Sequence, residues 1–192
     1  METASITFIT GGVRSGKSSF AEKTAVKKAL EIDGGLHYIA TSKSADEEME
    51  ERIRNHQKDR NESGYLWNTW EQPVNIESLA FYFKKNDVIL LDCLTTLLSN
   101  ELFSQDTGWS DTYSKKDEVF NRIWNGIKAI EKNCHHLILV SNEVFFDPLH
   151  EETELLFTYC QLMGKLHQQI VSTAENAYLV EAAIPLLMKG AK

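Results

Sequence analysis

The sequence predicts an α/β fold, a doubly wound and mostly parallel sheet with helices on both faces. Three observations predict it. Apolar runs bounded by turn signals recur along the chain, helical patterns stand between them, and the first run leads into a glycine-rich turn and an amphipathic segment. Such alternation calls for right-handed crossovers, which place ligands at the carboxyl ends of the strands.

The strands are expected at SITFIT (5–10), LHYIAT (36–41), DVILLD (87–92), LILVSN (137–142) and AYLV (177–180). Several are nearly continuous apolar runs, the mark of strands buried on both faces. Helices are expected over 18–31, 46–60, 75–85, 115–133 and 152–174. These stretches are rich in Ala, Glu, Lys, Leu and Gln, with apolar residues three and four apart. LTTLLSNELF, after Asp92, reads as a further helix that Asp92 could cap. SQDTGWSDTYS (104–114) is polar and without period, hence a surface loop. No repeat, low-complexity tract or linker divides the chain, so residues 1–192 are expected to form a single domain.

Composition narrows the function. A hydrophobic share of 42% and a charged share of 25% suit a folded soluble domain rather than a disordered one. The net charge of -8 and pI near 5.3 argue against a general nucleic-acid binder, whose affinity rests on Lys and Arg contacts to phosphate. No run is long enough to span a bilayer, and ITFITGGV lacks the basic flank of a secretory signal. Cys93, Cys134 and Cys160 are odd in number and widely spaced, as expected of a reducing cytoplasm. None of the six histidines falls at a metal-ligand spacing, so no structural metal is expected.

The strongest motif is G-x-x-x-x-G-K-S, from Gly11 through Gly16, Lys17 and Ser18. It follows a short β-branched strand and opens a helix, the context in which a phosphate-binding loop works. Glycines let the backbone turn and aim N–H groups at phosphate oxygens, and the helix N-terminus adds favourable partial charge. Gly11, Gly12, Val13, Arg14, Ser15, Gly16, Lys17 and Ser18 are therefore candidate nucleotide contacts. Lys17 would reach the β- and γ-phosphates, and the Ser18 hydroxyl would bind Mg²⁺. The fold class is accordingly the P-loop NTPase type.

Asp92 ends a buried strand, where such proteins keep a carboxylate for Mg²⁺ or its water. Glu143, in SNEV, sits at a similar strand edge. In ERIRNHQKDR (51–60), a helix over 46–60 would put Met49, Ile53, His56 and Arg60 on one face. His56 could then be an inert histidine bordering the apolar stripe. It could equally be a nucleophile, since neutral imidazole can attack phosphorus.

Several segments together resemble the bifunctional adenosylcobinamide kinase and adenosylcobinamide-phosphate guanylyltransferase family of cobalamin biosynthesis. They are TGGVRSGKS, YIATS (38–42), DEEMEERIRNHQKDR (46–60), WNTWEQP (67–73) and LLDCLTTLLSN (90–100), in the family's order through nearly the whole chain. The resemblance implies that His56 accepts GMP from GTP. It further implies that Thr41, Ser42, Lys58, Arg60 and Glu71 contact nucleotide. Implied too are GTP, and ATP as an alternative phosphoryl donor, as substrates, and a homo-oligomer, a trimer in the family's manner. The substrates would be adenosylcobinamide and its phosphate. One stretch departs: after SNEV the chain reads FFDPLHEET (145–153), where the family usually has a glycine-containing loop ending in Val-Pro. The rival readings are a P-loop kinase for another small metabolite and a non-enzymatic nucleotide switch.

Overall fold

A computed structural model describes residues 4–42, 64–103, 116–143 and 154–191. In chain order these form β1 (Ser5–Thr10), α1 (Lys17–Ile32), β2 (Leu36–Ala40), β3 (Trp67–Glu71), a 3₁₀ segment (Ile76–Tyr82) and β4 (Val88–Asp92). There follow α2 (Leu94–Phe103), α3 (Lys116–Glu131), β5 (His136–Val140), α4 (Glu154–Thr173), β6 (Asn176–Glu181) and β7 (Ile184–Lys189). The strands join one sheet in the order β3-β2-β4-β5-β1-β6-β7. Every neighbouring pair is parallel except β6 and β7, which form an antiparallel hairpin.

The continuous apolar strands are explained by what covers them. Along β4, Ile89 and Leu91 face the core shared with the 3₁₀ segment, α2, α3 and α4, while Val88 and Leu90 face α1. Both faces are thus buried, and a strand of alternating polarity would leave half its polar side chains dry. Helix α1 meets the sheet through Ala21, Ala25 and Ala29, one small residue per turn along a single face. Opposite it, Ile123, Ile127 and Ile130 of α3 and Met163, Leu166 and Ile170 of α4 are fully buried at helical spacing.

Three elements differ from the sequence expectation. The segment 75–85 is not an α-helix but a 3₁₀ turn over Ile76–Tyr82. Asn75 precedes it in a left-handed conformation (φ 53°), with its N–H held by the Glu101 carboxylate at 2.6 Å, so the chain enters too tightly for a longer helix. The strand β3 was not expected: as an edge strand it keeps Asn68, Thr69 and Glu71 exposed and lacks an apolar run. The strand β7 was not expected either, and it carries Pro185, which an edge strand tolerates because one side of its ladder is unpaired. The stretches 46–60, 104–114 and 145–153, read above as a helix, a loop and a departure from the family, lie outside the described residues.

At the amino ends of the strands, buried polar groups pair with one another. Asp87 lies 3.2 Å from Nε2 of His37, whose Nδ1 accepts from the Trp70 indole N–H at 3.1 Å. His136 bonds Ser5 through one ring nitrogen and Thr7 through the other, the latter at 2.9 Å.

Candidate active site

The carboxyl ends of the strands are organised differently, and the loop after β1 is their centre. β1 lies between β5 and β6, and its chain runs through Gly11–Gly16 into α1. Gly11 is required by close packing: a Cβ there would stand 2.3 Å from the Val180 carbonyl oxygen of β6. Gly16, the N-cap of α1, has φ 90°, a left-handed value that side chains disfavour. Within the loop the Ser15 N–H donates to the Gly12 carbonyl at 3.2 Å, and Arg14 takes φ 61°. The β6–β7 turn closes onto it, the Ala183 N–H donating to the Ser15 carbonyl at 2.8 Å.

Lys17 is buried, and its ammonium donates to the Gly12 carbonyl at 3.1 Å, reaching back across the loop. Two hydroxyls in the same stretch of chain, Thr10 Oγ1 at the end of β1 and Ser15 Oγ beside Gly11, are buried without a hydrogen-bond partner. Buried hydroxyls normally find partners, and leaving one unmade costs roughly 1–3 kcal/mol. The Ser15 hydroxyl, in the glycine-rich loop before α1, is a donor that a bound group rich in acceptor oxygens would satisfy. Val13 and Arg14 at the tip are exposed, and Ser18 is half-buried in the first turn of α1.

Asp92 closes β4, two strands from β1, in register with Ala40 on one side and Val140 on the other. The Tyr38 hydroxyl donates to its Oδ2 at 3.2 Å, fixing the carboxylate at the sheet edge. Ser18 and Asp92 are both hard oxygen donors. That is the ligand type Mg²⁺ takes when it is held by one or two protein groups together with phosphates and water. The alternative that Asp92 caps α2 is not what the chain does: α2 starts at Leu94, and the first intrahelical acceptor is the Cys93 carbonyl, bonded by the Leu97 N–H at 3.1 Å.

The family resemblance implied that Thr41 contacts nucleotide, yet Thr41 is 0% exposed. Its hydroxyl donates to the Cys93 carbonyl and accepts from the Cys93 N–H, both at 2.9 Å. Its own N–H donates to Asp92, and its carbonyl accepts from the Asn100 amide at 2.8 Å. With every polar group engaged, Thr41 ties the ends of β2 and β4 together and so positions Asp92.

Glu71 ends β3 and is exposed, in register with Ala40 and through it with Asp92. Four strand spacings separate it from β1, about 19 Å, so it is out of reach of phosphates seated on the loop. Ser42, half-buried, follows β2 at the same edge of the sheet as the glycine-rich loop. His56, Lys58 and Arg60 lie outside the described residues.

Other groups at this edge were not legible as site residues. Asn142 donates to Thr95 Oγ1 at 2.9 Å, and Thr95 in turn contacts the Cys93 thiol at 2.9 Å. Ser141, buried at the end of β5, meets His167 Nε2 of α4 at 2.7 Å. Burial pushes the His167 imidazole down to about 4, so it is neutral there. Asn100 spans Thr41 and Pro73. Each contact joins residues far apart in sequence, and only the polarity of SNE after an apolar strand hinted at any of them.

Comparison with known proteins fits this arrangement. The chain is 32% identical over 187 residues to the bifunctional adenosylcobalamin biosynthesis protein CobU of Escherichia coli, covering 94% of this chain and 98% of that one. It is also 32% identical over 185 residues to CobP of Pseudomonas aeruginosa, a bifunctional adenosylcobalamin biosynthesis protein, covering 95% and 96%. CobU of Salmonella typhimurium is 30% identical over 186 residues. Among solved structures, the flagellar accessory protein FlaH of Methanocaldococcus jannaschii shares 15% identity with a TM-score of 0.49 over 99% of this chain and 80% of that one. A likeness that slight bears on neither activity nor substrate. The CobU family, cobinamide kinase / cobinamide phosphate guanyltransferase, matches residues 7–188, and the chain belongs to that family.

Proposed function

We propose that the protein phosphorylates adenosylcobinamide from a nucleoside triphosphate and then transfers GMP from GTP to the new phosphate, giving adenosylcobinamide-GDP. The observation that carries the reading is the loop after β1. There a buried lysine reaches back over a glycine-built helix N-terminus, and the Ser15 hydroxyl, beside Gly11, is buried without a partner. Family membership supplies the substrates, since the curated relatives are named bifunctional adenosylcobalamin biosynthesis proteins.

In the first half-reaction the loop holds the triphosphate by its N–H groups and by Lys17, which offsets charge as it develops on the transferring phosphoryl group. Ser18 and Asp92 would hold Mg²⁺, which neutralises phosphate charge when bound. In the second half-reaction a ring nitrogen of His56 attacks the α-phosphorus of GTP. The bond from that phosphorus to the bridging oxygen breaks, pyrophosphate leaves, and GMP passes from the histidine to the corrinoid phosphate. Lys58 and Arg60 contact the same nucleotide. Glu71, too distant for loop-bound phosphates, meets nucleotide near the β2–β3 edge. The protein works as one domain in the cytoplasm and assembles as a homo-oligomer, a trimer in the family's manner.

The test is covalent labelling. The protein and a His56→Ala variant are incubated with Mg²⁺ and GTP labelled at the α- or the γ-phosphate, and chain-bound label is assayed for acid lability and base stability. Label from α-GTP that is absent in the variant is the expected result. A folded protein that binds GTP and takes up no α-label reduces the assignment to a kinase alone.

A further inference from the structure

The start of the phosphate loop is flanked by the strand ends that carry two glutamates, Glu143 and Glu181, which the mechanism above leaves without a role. On one side the Glu143 N–H, just past β5, donates to the Gly11 carbonyl at 3.1 Å. On the other, the Val180 carbonyl packs where a Gly11 Cβ would be, 2.3 Å away, and Glu181 is the next residue and the last of β6. Gly11 therefore has the backbones of both glutamates as immediate neighbours. Both glutamates stand at the carboxyl ends of the strands flanking β1, the edge at which sheets of this kind bind ligands.

We infer, on the proposed reading of the function, that Glu143 is the general base of the phosphoryl-transfer half-reaction and Glu181 its tuning neighbour. The acceptor is an alcohol, a poor nucleophile while it keeps its proton. Its proton passes to a Glu143 carboxylate oxygen as the alcohol oxygen bonds to the γ-phosphorus. The bond from that phosphorus to the β–γ bridging oxygen breaks, and the electron pair leaves with the nucleoside diphosphate. The Glu143 proton then returns to solvent.

The surroundings suit the role. Burial, and next the charge of Glu181, raise the Glu143 carboxyl above its ordinary value, which makes it a stronger base. The other charged groups on the neighbouring strand ends and loop are Arg14 and Lys17 after β1 and Asp92 on β4. Asp92 is already fixed by Tyr38 and is the better candidate for the cation.

The experiment follows transfer of γ-label from GTP and from ATP to adenosylcobinamide in the intact protein and in Glu143→Gln, Glu143→Ala and Glu181→Gln variants. Thermal unfolding checks that each is folded. Positioned bases contribute roughly 100- to 10,000-fold, so kcat in E143Q is expected to fall at least ~100-fold. The wild-type kcat/KM should decline as pH drops through the Glu143 pKa, and that acid limb should move to lower pH in E181Q. Added formate should restore part of the E143A rate, which no purely structural role predicts. An E143Q variant that keeps wild-type kcat and its acid limb overturns the inference and leaves the proposed function standing. A loss confined to KM for the triphosphate, without formate rescue, overturns it equally. Wild-type protein that binds GTP yet phosphorylates no adenosylcobinamide removes the functional reading and this inference with it.

Discussion

The two ends of the parallel sheet both hold buried polar groups, but they treat them in opposite ways. At the amino ends, His37 is flanked by Asp87 and Trp70, and His136 by Ser5 and Thr7, so the polar atoms of each set satisfy one another, the buried Trp67 indole N–H being the exception there. At the carboxyl ends, Thr10 and Ser15 keep buried hydroxyls unpaired, and Lys17 reaches back over a glycine-built loop. Self-satisfied polar groups stabilise a fold and ask nothing of a ligand. Unsatisfied ones represent a cost the fold carries in the absence of one.

If that contrast is right, the same kind of change should act on function at one end and on stability at the other. The largest effect is expected from Lys17→Ala at the carboxyl end. Turnover with GTP should fall by roughly 100- to 1,000-fold, equivalent to about 2.7–4 kcal/mol, with a smaller change in the unfolding midpoint. A stability loss that exceeds the activity loss would erase the distinction.

Next is acid sensitivity. Burial lowers His136 to about 4, with the charges of Lys28 and His135 adding to it, and burial alone lowers His167 to about 4. Both are neutral in the fold but take up a proton near pH 6.5 when unfolded. Stability is therefore complete above pH 6.5 and is lost as pH falls from 6.5 towards 4, by at most roughly 3 kcal/mol for each histidine. Denaturant titrations across this window should show that slope, and His136→Gln should flatten it. An unchanged slope in that variant means the amino-end histidine is not the source.

A third prediction sharpens the boundary. Thr41 sits at the carboxyl end yet is satisfied like the amino-end residues, so Thr41→Val should behave as a fold mutation. It leaves the Cys93 N–H without its partner and removes one of the two donors to the Cys93 carbonyl, at a cost of about 1–3 kcal/mol in urea unfolding. Any loss of activity should then follow from displacement of Asp92, appearing chiefly as a weaker Mg²⁺ dependence.

The smallest effect concerns the turn that clamps the loop. Ala182 and Ala183 adopt φ 47° and 64°, left-handed values that a two-residue hairpin demands and alanine resists. Ala183→Gly keeps the N–H that donates to Ser15 and removes the strain, so the melting temperature should rise by an amount worth up to about 1 kcal/mol. A fall would show that the Ala183 methyl, packed at Gly16, matters more than the turn.

Much of the architecture was readable in one dimension because its signals are local. The runs SITFIT and VILLD are apolar without alternation because both faces of their strands are covered, and β1, β2, β4, β5 and β6 lie close to where those runs placed them. The glycines of TGGVRSGKS are needed where the backbone approaches Val180 or turns left-handed at Gly16, and the spacing already implied such a turn. Edge strands were missed because WNTWE keeps only its two tryptophans against the core and IPLLMK is almost wholly exposed, so neither shows the apolar run of a buried strand.

By itself, then, the sequence determined the class of fold, the phosphate loop and the acidic end of β4, since each is written in residues a few positions apart whose periodicity or backbone freedom has one physical use. Only the tertiary structure decided which polar residues are spent on the fold and which face a ligand. Thr41 reads like a site residue until Cys93, fifty-two positions away, takes its hydroxyl. Glu143 reads like an ordinary strand end until Gly11 and Glu181 come beside it. Hydrogen bonds and charge act through space over a few ångströms, and the distances that set them come from sheet order and register, which no local stretch of the chain encodes.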